Sequence, residues 1–325
     1  MLAGWQDKLL QVGLALAAIA IVVALVVFVI ALLERWRAKE RRIALVFAGP
    51  ALLLLAVGLV YPMGGTALMS LYDGTQTQFV GLDNYKWIFT DPAAVRSLLN
   101  TLIWLVVVPV ASTGFGFLYA LLIDGSRFER FTKTLMFMPM AISFVGASII
   151  WKFVYAYRDI SRPQIGLLNQ LLVWLGQEPR QFLIDSPWNT LFLIVVMIWT
   201  QTGYAMVLLS AAIKAMPVDV VEAARLDGAG GLRMLTNITI PLVRPTLVVV
   251  FTTIAIGSLK VFDIVRTMTG GQYDTQVIAN TMYDQSFRYG QPGIGSAIAV
   301  LLLVMVAPVI AFNVHQLRRN REVRG

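Results

Sequence analysis

Residues 9–33 read LLQVGLALAAIAIVVALVVFVIALL, 25 consecutive positions without an ionisable side chain. About 20 mostly apolar residues carry a helix across the hydrocarbon core of a bilayer, so this stretch alone makes the chain an integral membrane protein. The rest of the sequence agrees. Of 325 residues, 58% are hydrophobic and only 14% charged, with a mean hydropathy of +0.74, outside the usual balance of a soluble domain. A cleaved secretory leader has an apolar core of about 7–15 residues behind a positive start. Here the run is longer and the basic cluster follows it, which predicts a retained helix. Cys is absent and His315 is the single histidine, so disulfides and thiolate sites are excluded and no metal site is expected.

Working outward, apolar runs predict an all-α bundle of seven spans, at 9–33, 43–69, 97–123, 134–156, 189–213, 246–266 and 294–314. Internal prolines, Pro62, Pro109, Pro139 and Pro308, predict kinks that neighbouring helices can accommodate. The net charge of +8 is read through its placement rather than as affinity for nucleic acid. Of the 26 Lys and Arg residues, 16 fall in one alternating set of segments, 34–42, 124–133, 214–245 and the tail RRNREVRG, whereas 7 fall in the other set. The positive-inside rule therefore puts the N-terminus outside and the C-terminus in the cytoplasm. Asp124 and Glu129, in a short inner loop, read as solvated charges.

The largest inner loop, 214–245, contains VEAARLDGAGGLRMLTNITIP, Val221 to Pro241. A helix is predicted from Pro217, with Asp219 and Glu222 near its positive end and Gly228, Gly230 and Gly231 terminating it. A second short helix follows, with Pro241 as its stop. Ala224 and Gly228, four residues apart, present a face almost without side chains, and Glu222 adds one directed charge. Residue types alone leave two readings open: a docking face for a partner, or an interfacial helix packed on its own bundle.

The order Glu222-Ala223-Ala224, then Asp227-Gly228, then Ile238, Ile240 and Pro241 resembles the EAA loop of ABC importer permeases, with Ile240 where Leu is commoner. From about Pro50 onward the chain is similar to MalF-type permeases of the carbohydrate uptake class, through Tyr61-Pro62, Asn100-Thr101, MFMPMAIS (136–143), IPLVRP (240–245) and the Met268-Thr269-Gly270-Gly271 turn. Residues 257–287 look most like alpha-glucoside permeases, such as those for maltose or trehalose. The resemblance implies a bundle of six core transmembrane helices (43–325) plus one additional N-terminal helix and basic loop (1–42). It implies a non-catalytic subunit in the bacterial inner membrane that pairs with a second permease, contacts two ATPase subunits through the EAA loop, and receives an oligosaccharide from an extracytoplasmic binding protein. No cofactor is expected in this chain; ATP and Mg would be bound by the partner ATPase. That fits the sequence, where the only Lys followed by Ser or Thr is Lys133 and Thr132 precedes it, so no P-loop exists.

Polar residues inside spans are functional candidates, because lipid penalises them unless they face protein or water. The fifth span carries WTQTGY (199–204), hydrogen-bonding and aromatic groups of the kind that suit sugars. Carried over from the family, Thr200, Gln201 and Tyr204, with Thr253, Gly257 and Lys260 in the sixth span, fall on substrate-path positions. Polar residues also serve interhelical bonding, so that reading stays open for each. Lys260, Asp263 and Arg266 are expected on one side of the sixth helix, with snorkelling an alternative role for the two basic residues. An ion-coupled secondary transporter is the competing class, but only Asp263 lies within an expected span. A membrane enzyme would require Asp124 and Glu129 to act as an acidic pair.

Overall fold

The structure, a computed structural model, describes residues 40–322 and the side chains of residues 48–313. The expected span at 9–33, the side chain of His315 and the basic side chains of the tail lie outside the described residues. The chain divides into two compact units, residues 1–68 and 69–325. The described part of the first is one helical rod: α1 (Glu40–Leu55), a single wide turn (Ala56–Val60) and α2 (Tyr61–Met69). In the wide turn the Tyr61 N–H reaches back five residues to Ala56 O. Pro62 has no N–H to donate and its ring crowds the preceding turn; widening that turn by one residue lets the helix continue instead of breaking.

The second unit is built on two long helices, α4 (Pro92–Ile123) and α8 (Trp188–Lys214). Asp91 caps α4, its carboxylate accepting from the N–H groups of Ala93 and Ala94, and Pro92 fills the first helical position, where no donor is needed. Before α4, α3 (Asp83–Thr90) follows a tight turn. There the Asp73 carboxylate accepts from the Thr75 hydroxyl and from the N–H groups of Gln78 and Thr77, which together hold it below the usual carboxylate range.

Two packing contacts fix α8. Gly116 of α4 lies so close that a Cβ there would stand 2.5 Å from Ala205 Cβ, and a Cβ on Gly203 would stand 2.2 Å from Met136 O. Small residues let membrane helices approach backbone to backbone. Around these contacts Trp104, Val108, Leu193, Met206 and Leu209 are wholly buried. A second cluster, Ile88, Ile278, Ala297 and Ile298, joins α3 to α13 (Ile278–Tyr283) and α14 (Pro292–Glu322).

The expected span 134–156 is not one helix. It is α5 (Glu129–Phe137) with a tight turn through Ala141, followed by α6 (Phe144–Val154), and the two parts meet at 104°. Pro139 sits in the tight turn, and Ser143 starts α6 by accepting the Gly146 N–H. The expected sixth span also moves. Helix runs from Gly231 to Leu259, through α10 (Gly231–Met234), a wide turn (Leu235–Thr239) and α11 (Ile240–Leu259). Pro241 therefore does not stop a short helix: the Ile240 N–H bonds back to Leu235 O, the same device that precedes Pro62. At the far end α11 stops at Lys260, and Asp263–Met268 is a separate short helix, α12. Lys260, Asp263 and Arg266 thus do not share one face of a continuous helix. Among the described residues five helices are long and apolar enough to span a bilayer, or six with the bent pair as one.

The glycine contact at α8 makes a paired prediction. Gly203→Ala should lower the midpoint of thermal unfolding of the detergent-solubilised protein, with overpacking destabilising by about 1–3 kcal/mol. Gly114→Ala, where a Cβ meets nothing within 4 Å, should leave it unchanged.

Candidate functional site

At the end of α8 the chain leaves Lys214, turns at Pro217 and forms α9 (Val218–Leu226). The predicted helix and its glycine stop are both present. The Gly228 N–H bonds to Arg225 O and the Ala229 N–H to Ala224 O, the paired bonds of a left-handed helix terminator. Gly228 stands at φ +80, where a side chain is strained.

This geometry corrects the expected bare face. Gly228 lies beyond the helix end, and Ala224 is only 8% exposed, covered by the chain itself. The exposed surface consists instead of Glu222, Ala223 and Asp227, with apolar Leu226 at 89% and Leu232 at 77% exposure. Glu222 has no ion-pair partner among the described residues. Ile238 and Ile240 are half-buried and Pro241 exposed on the rod that follows. Exposed large apolar side chains thus stand on the same segment as an unpaired carboxylate.

Beneath this segment lies a cluster that sequence reasoning missed. Asp124 at the end of α4, Glu129 and Lys133 of α5, and Ser210 and Lys214 of α8 form one network. Lys133 Nζ bonds Asp124, Glu129 (2.8 Å) and Ser210; the Ser210 hydroxyl donates to Asp124 (2.7 Å); Lys214 pairs with Glu129. The Asp124 and Lys133 side chains are only 12% and 21% exposed. Asp124 and Glu129 are therefore not solvated loop charges, and their cationic partners occupy the positions an acidic catalytic pair would need. The i,i+4 spacing of Glu129 and Lys133 was the available signal; the fold contributes Ser210 and Lys214 from 77 and 85 residues away.

The six expected path residues lie on two helices, Thr200, Gln201 and Tyr204 on α8, and Thr253 and Gly257 on α11 with Lys260 as its cap. Thr200 is buried and its hydroxyl donates to Met197 O. Gln201, the next residue, and Tyr204, one turn further along α8, are half-buried. Gly257 of α11 faces this part of α8, since a Cβ there would lie 3.7 Å from Met197 Cε. Thr253 is exposed on the same helix and donates to Val249 O. Lys260 instead borders a separate apolar groove of about 520 Å³ with Phe262, Met282, Tyr283 and Leu302. Arg266 does not snorkel. It pairs at 2.9 Å with the buried Asp284 and lies 4.7 Å from the centre of the Tyr283 ring.

Among the described residues, a proline-bent bundle of helices long and apolar enough to cross a bilayer defines an integral membrane protein. The chain belongs to the family of binding-protein-dependent transport system inner membrane components, whose pattern matches residues 112–322. It is 47% identical over 278 residues to the osmoprotective compounds uptake permease protein GgtC of Synechocystis sp., covering 86% of this chain and 100% of that protein. It is 47% identical over 275 residues to the alpha-glucoside transport system permease protein AglF of Rhizobium meliloti, covering 84% of this chain and 82% of that one. The fold matches a subunit of a bacterial ABC transporter involved in import of the acidic polysaccharide alginate, with a TM-score of 0.73 at 24% identity, covering 86% of this chain and 96% of the other. The expected kinship with carbohydrate-uptake permeases holds.

Removing Lys133 leaves a mostly buried carboxylate uncompensated, which destabilises by about 3–5 kcal/mol. Lys133→Met should therefore lower the thermal midpoint of the purified protein, while Lys133→Met with Asp124→Leu should recover most of the loss. Equal loss in both variants would mean that the charges are not energetically coupled.

Proposed function

We propose that this chain is one permease subunit of a binding-protein-dependent ABC importer for an oligosaccharide, most consistent with an alpha-glucoside, and that α9 is its coupling helix. The observation carrying the reading is the exposed, unpaired surface of Glu222, Ala223 and Leu226, held at the end of α8 by a glycine terminator. Sequence supports a separate ATP-hydrolysing subunit, because the chain has no phosphate loop. The family description supplies the binding protein and the membrane. The sugar class rests on the kinship with alpha-glucoside and osmoprotectant permeases.

In this reading a second permease completes the path and two ATPase subunits grip one coupling helix each. ATP-driven closure of those subunits pushes α9 sideways. The push enters α8 through Pro217 and Lys214, and the ion network passes it to α4 and α5, so the three helices move as a block. The excess of basic residues around the coupling segment supports a cytoplasmic position for it and the C-terminus, with the N-terminus outside. Gln201, Tyr204, Thr253 and Gly257 contribute to the sugar path, with Thr200 supporting them from behind. Lys260 reaches that path only if its apolar groove is continuous with it in the paired complex.

Two measurements test the reading. Glu222→Lys should abolish sugar uptake and weaken co-purification of the ATPase while membrane insertion stays normal; uptake at the parent rate would end the docking claim. For the solute, the purified complex with its binding protein should hydrolyse ATP faster with an alpha-glucoside. Solute uptake driven by an ion gradient without ATP would establish a secondary transporter instead.

A further inference from the structure

We propose that the crevice between the opening turns of α4 and α8 is a carbohydrate-binding vestibule, a way-station for sugar distinct from the path residues of α8 and α11. It rests on the reading of the chain as a sugar permease. The crevice holds about 380 Å³, within the range of small-molecule sites. Its lining includes Arg96, Asn100, Ser186, Trp188, Thr190 and Asp274.

The chemistry of the lining matches a sugar. Trp188 is 63% exposed and offers an indole to a C–H face of a pyranose ring. Beside it the Arg96–Asp274 ion pair is half open to water, its side chains 57% and 47% exposed. The guanidinium has five donors and the pair occupies one of them. The Asp274 carboxylate accepts from Arg96 and, at 3.3 Å, from Ser186, with further lone pairs remaining. A planar donor set and a planar acceptor set side by side suit adjacent hydroxyls.

The site is also pre-organised in a way a plain turn does not require. Tyr273 and Asp274 stand at φ 56 and φ 62, a left-handed conformation unfavourable for residues with a Cβ, although the same loop uses glycines for that conformation at Gly270 and Gly271. Buried amides hold the two residues there. The Asn189 side chain donates to Tyr273 O at 2.6 Å, and the Asn100 side chain donates to Asp274 O at 2.6 Å and to Gln276 O at 2.9 Å. Such strain concentrates at ligand sites.

Location agrees. α4 and α8 run parallel: Arg96 and Trp188 share the crevice at their starts, while Asp124 and Ser210 bond at their ends. The 27 residues of α8 span about 40 Å, so the crevice lies across the membrane from the coupling segment, on the side where sugar arrives.

The chain has no cysteine, so Ser186→Cys gives a single label at the rim with Trp188 intact. The assembled complex in nanodiscs, without binding protein, is treated with a membrane-impermeant maleimide in the presence of maltose, trehalose or sucrose. Near saturation the sugar that the parent complex imports should slow labelling about tenfold. Adding Trp188→Ala or Asp274→Asn should remove that protection. In a parallel reaction with sugar-free binding protein added, protection by that protein but by none of the sugars alone would overturn the proposal and make the crevice a protein-docking surface. No protection by a sugar that the parent complex imports would overturn the vestibule and leave the permease reading intact. Import of a non-carbohydrate solute in place of all three sugars would overturn both.

Discussion

The backbone groups that this chain carries into the bilayer must be satisfied from within the protein, because hydrocarbon offers no hydrogen bonds; most buried side-chain polar groups follow, whereas Trp104 Nε1 and the Ser112 and Thr113 hydroxyls of α4 have no partner among the described residues. The bundle is organised around that constraint. Hydroxyls of Thr101, Thr202, Thr252 and Thr253 donate to carbonyls one turn back in their own helices. The helices also donate sideways: Asn313 of α14 reaches the Thr252 hydroxyl at 2.7 Å, and the Thr101 hydroxyl takes the Ile278 N–H at 2.9 Å. Where proline removes a donor, the turn ahead of it widens, before Pro62 and before Pro241 alike. Where charge enters, it is paired: two carboxylates and two ammonium groups form a network with a serine between them, and Arg266 pairs with the buried Asp284.

The same constraint explains how a distant event reaches the transport path. α8 touches α4 through Gly116 and α5 through Gly203, contacts too close to slide. Its last turn is tied by ions and its first turn by the Asn189 amide. A helix held at both ends and along its length behaves as a strut. A sideways force on α9 therefore becomes a displacement of α4, α5 and α8 together, rather than a local bend at Pro217.

Much of this was legible in the sequence, and the exceptions have physical causes. The apolar runs at 43–69, 97–123, 189–213 and 294–314 each coincide closely with a long apolar helix, because hydropathy reports the solvent directly. The glycine stop after Leu226 and the helix start at Pro217 were equally readable, being local backbone chemistry. What failed was continuity. The 134–156 run is apolar throughout, yet it bends by 104° at Pro139–Ser143, and hydropathy does not register direction. At Pro241 the opposite error arose, because a stop in a straight helix is absorbed by a wide turn. The burial of Ala224, the pairing of Arg266 with Asp284, and the network around Lys133 all depend on partners far away in sequence, which spacing along one helix cannot supply. Asn100 and Thr101 stood out as a family feature, but their task, holding the 274–278 segment to α4, emerged only from the fold.

The central claim is that the α9 surface meets another subunit. Because the chain lacks cysteine, a single Cys at Ala223 or at Leu226 carrying a short photoactivatable cross-linker samples that surface directly in the assembled, active complex. The account predicts a cross-linked product with the ATPase subunit from both positions and none from a Cys at Trp188, at the far end of α8. Equal yields from all three positions, or no product from 223 and 226 in a complex that still transports, would contradict it.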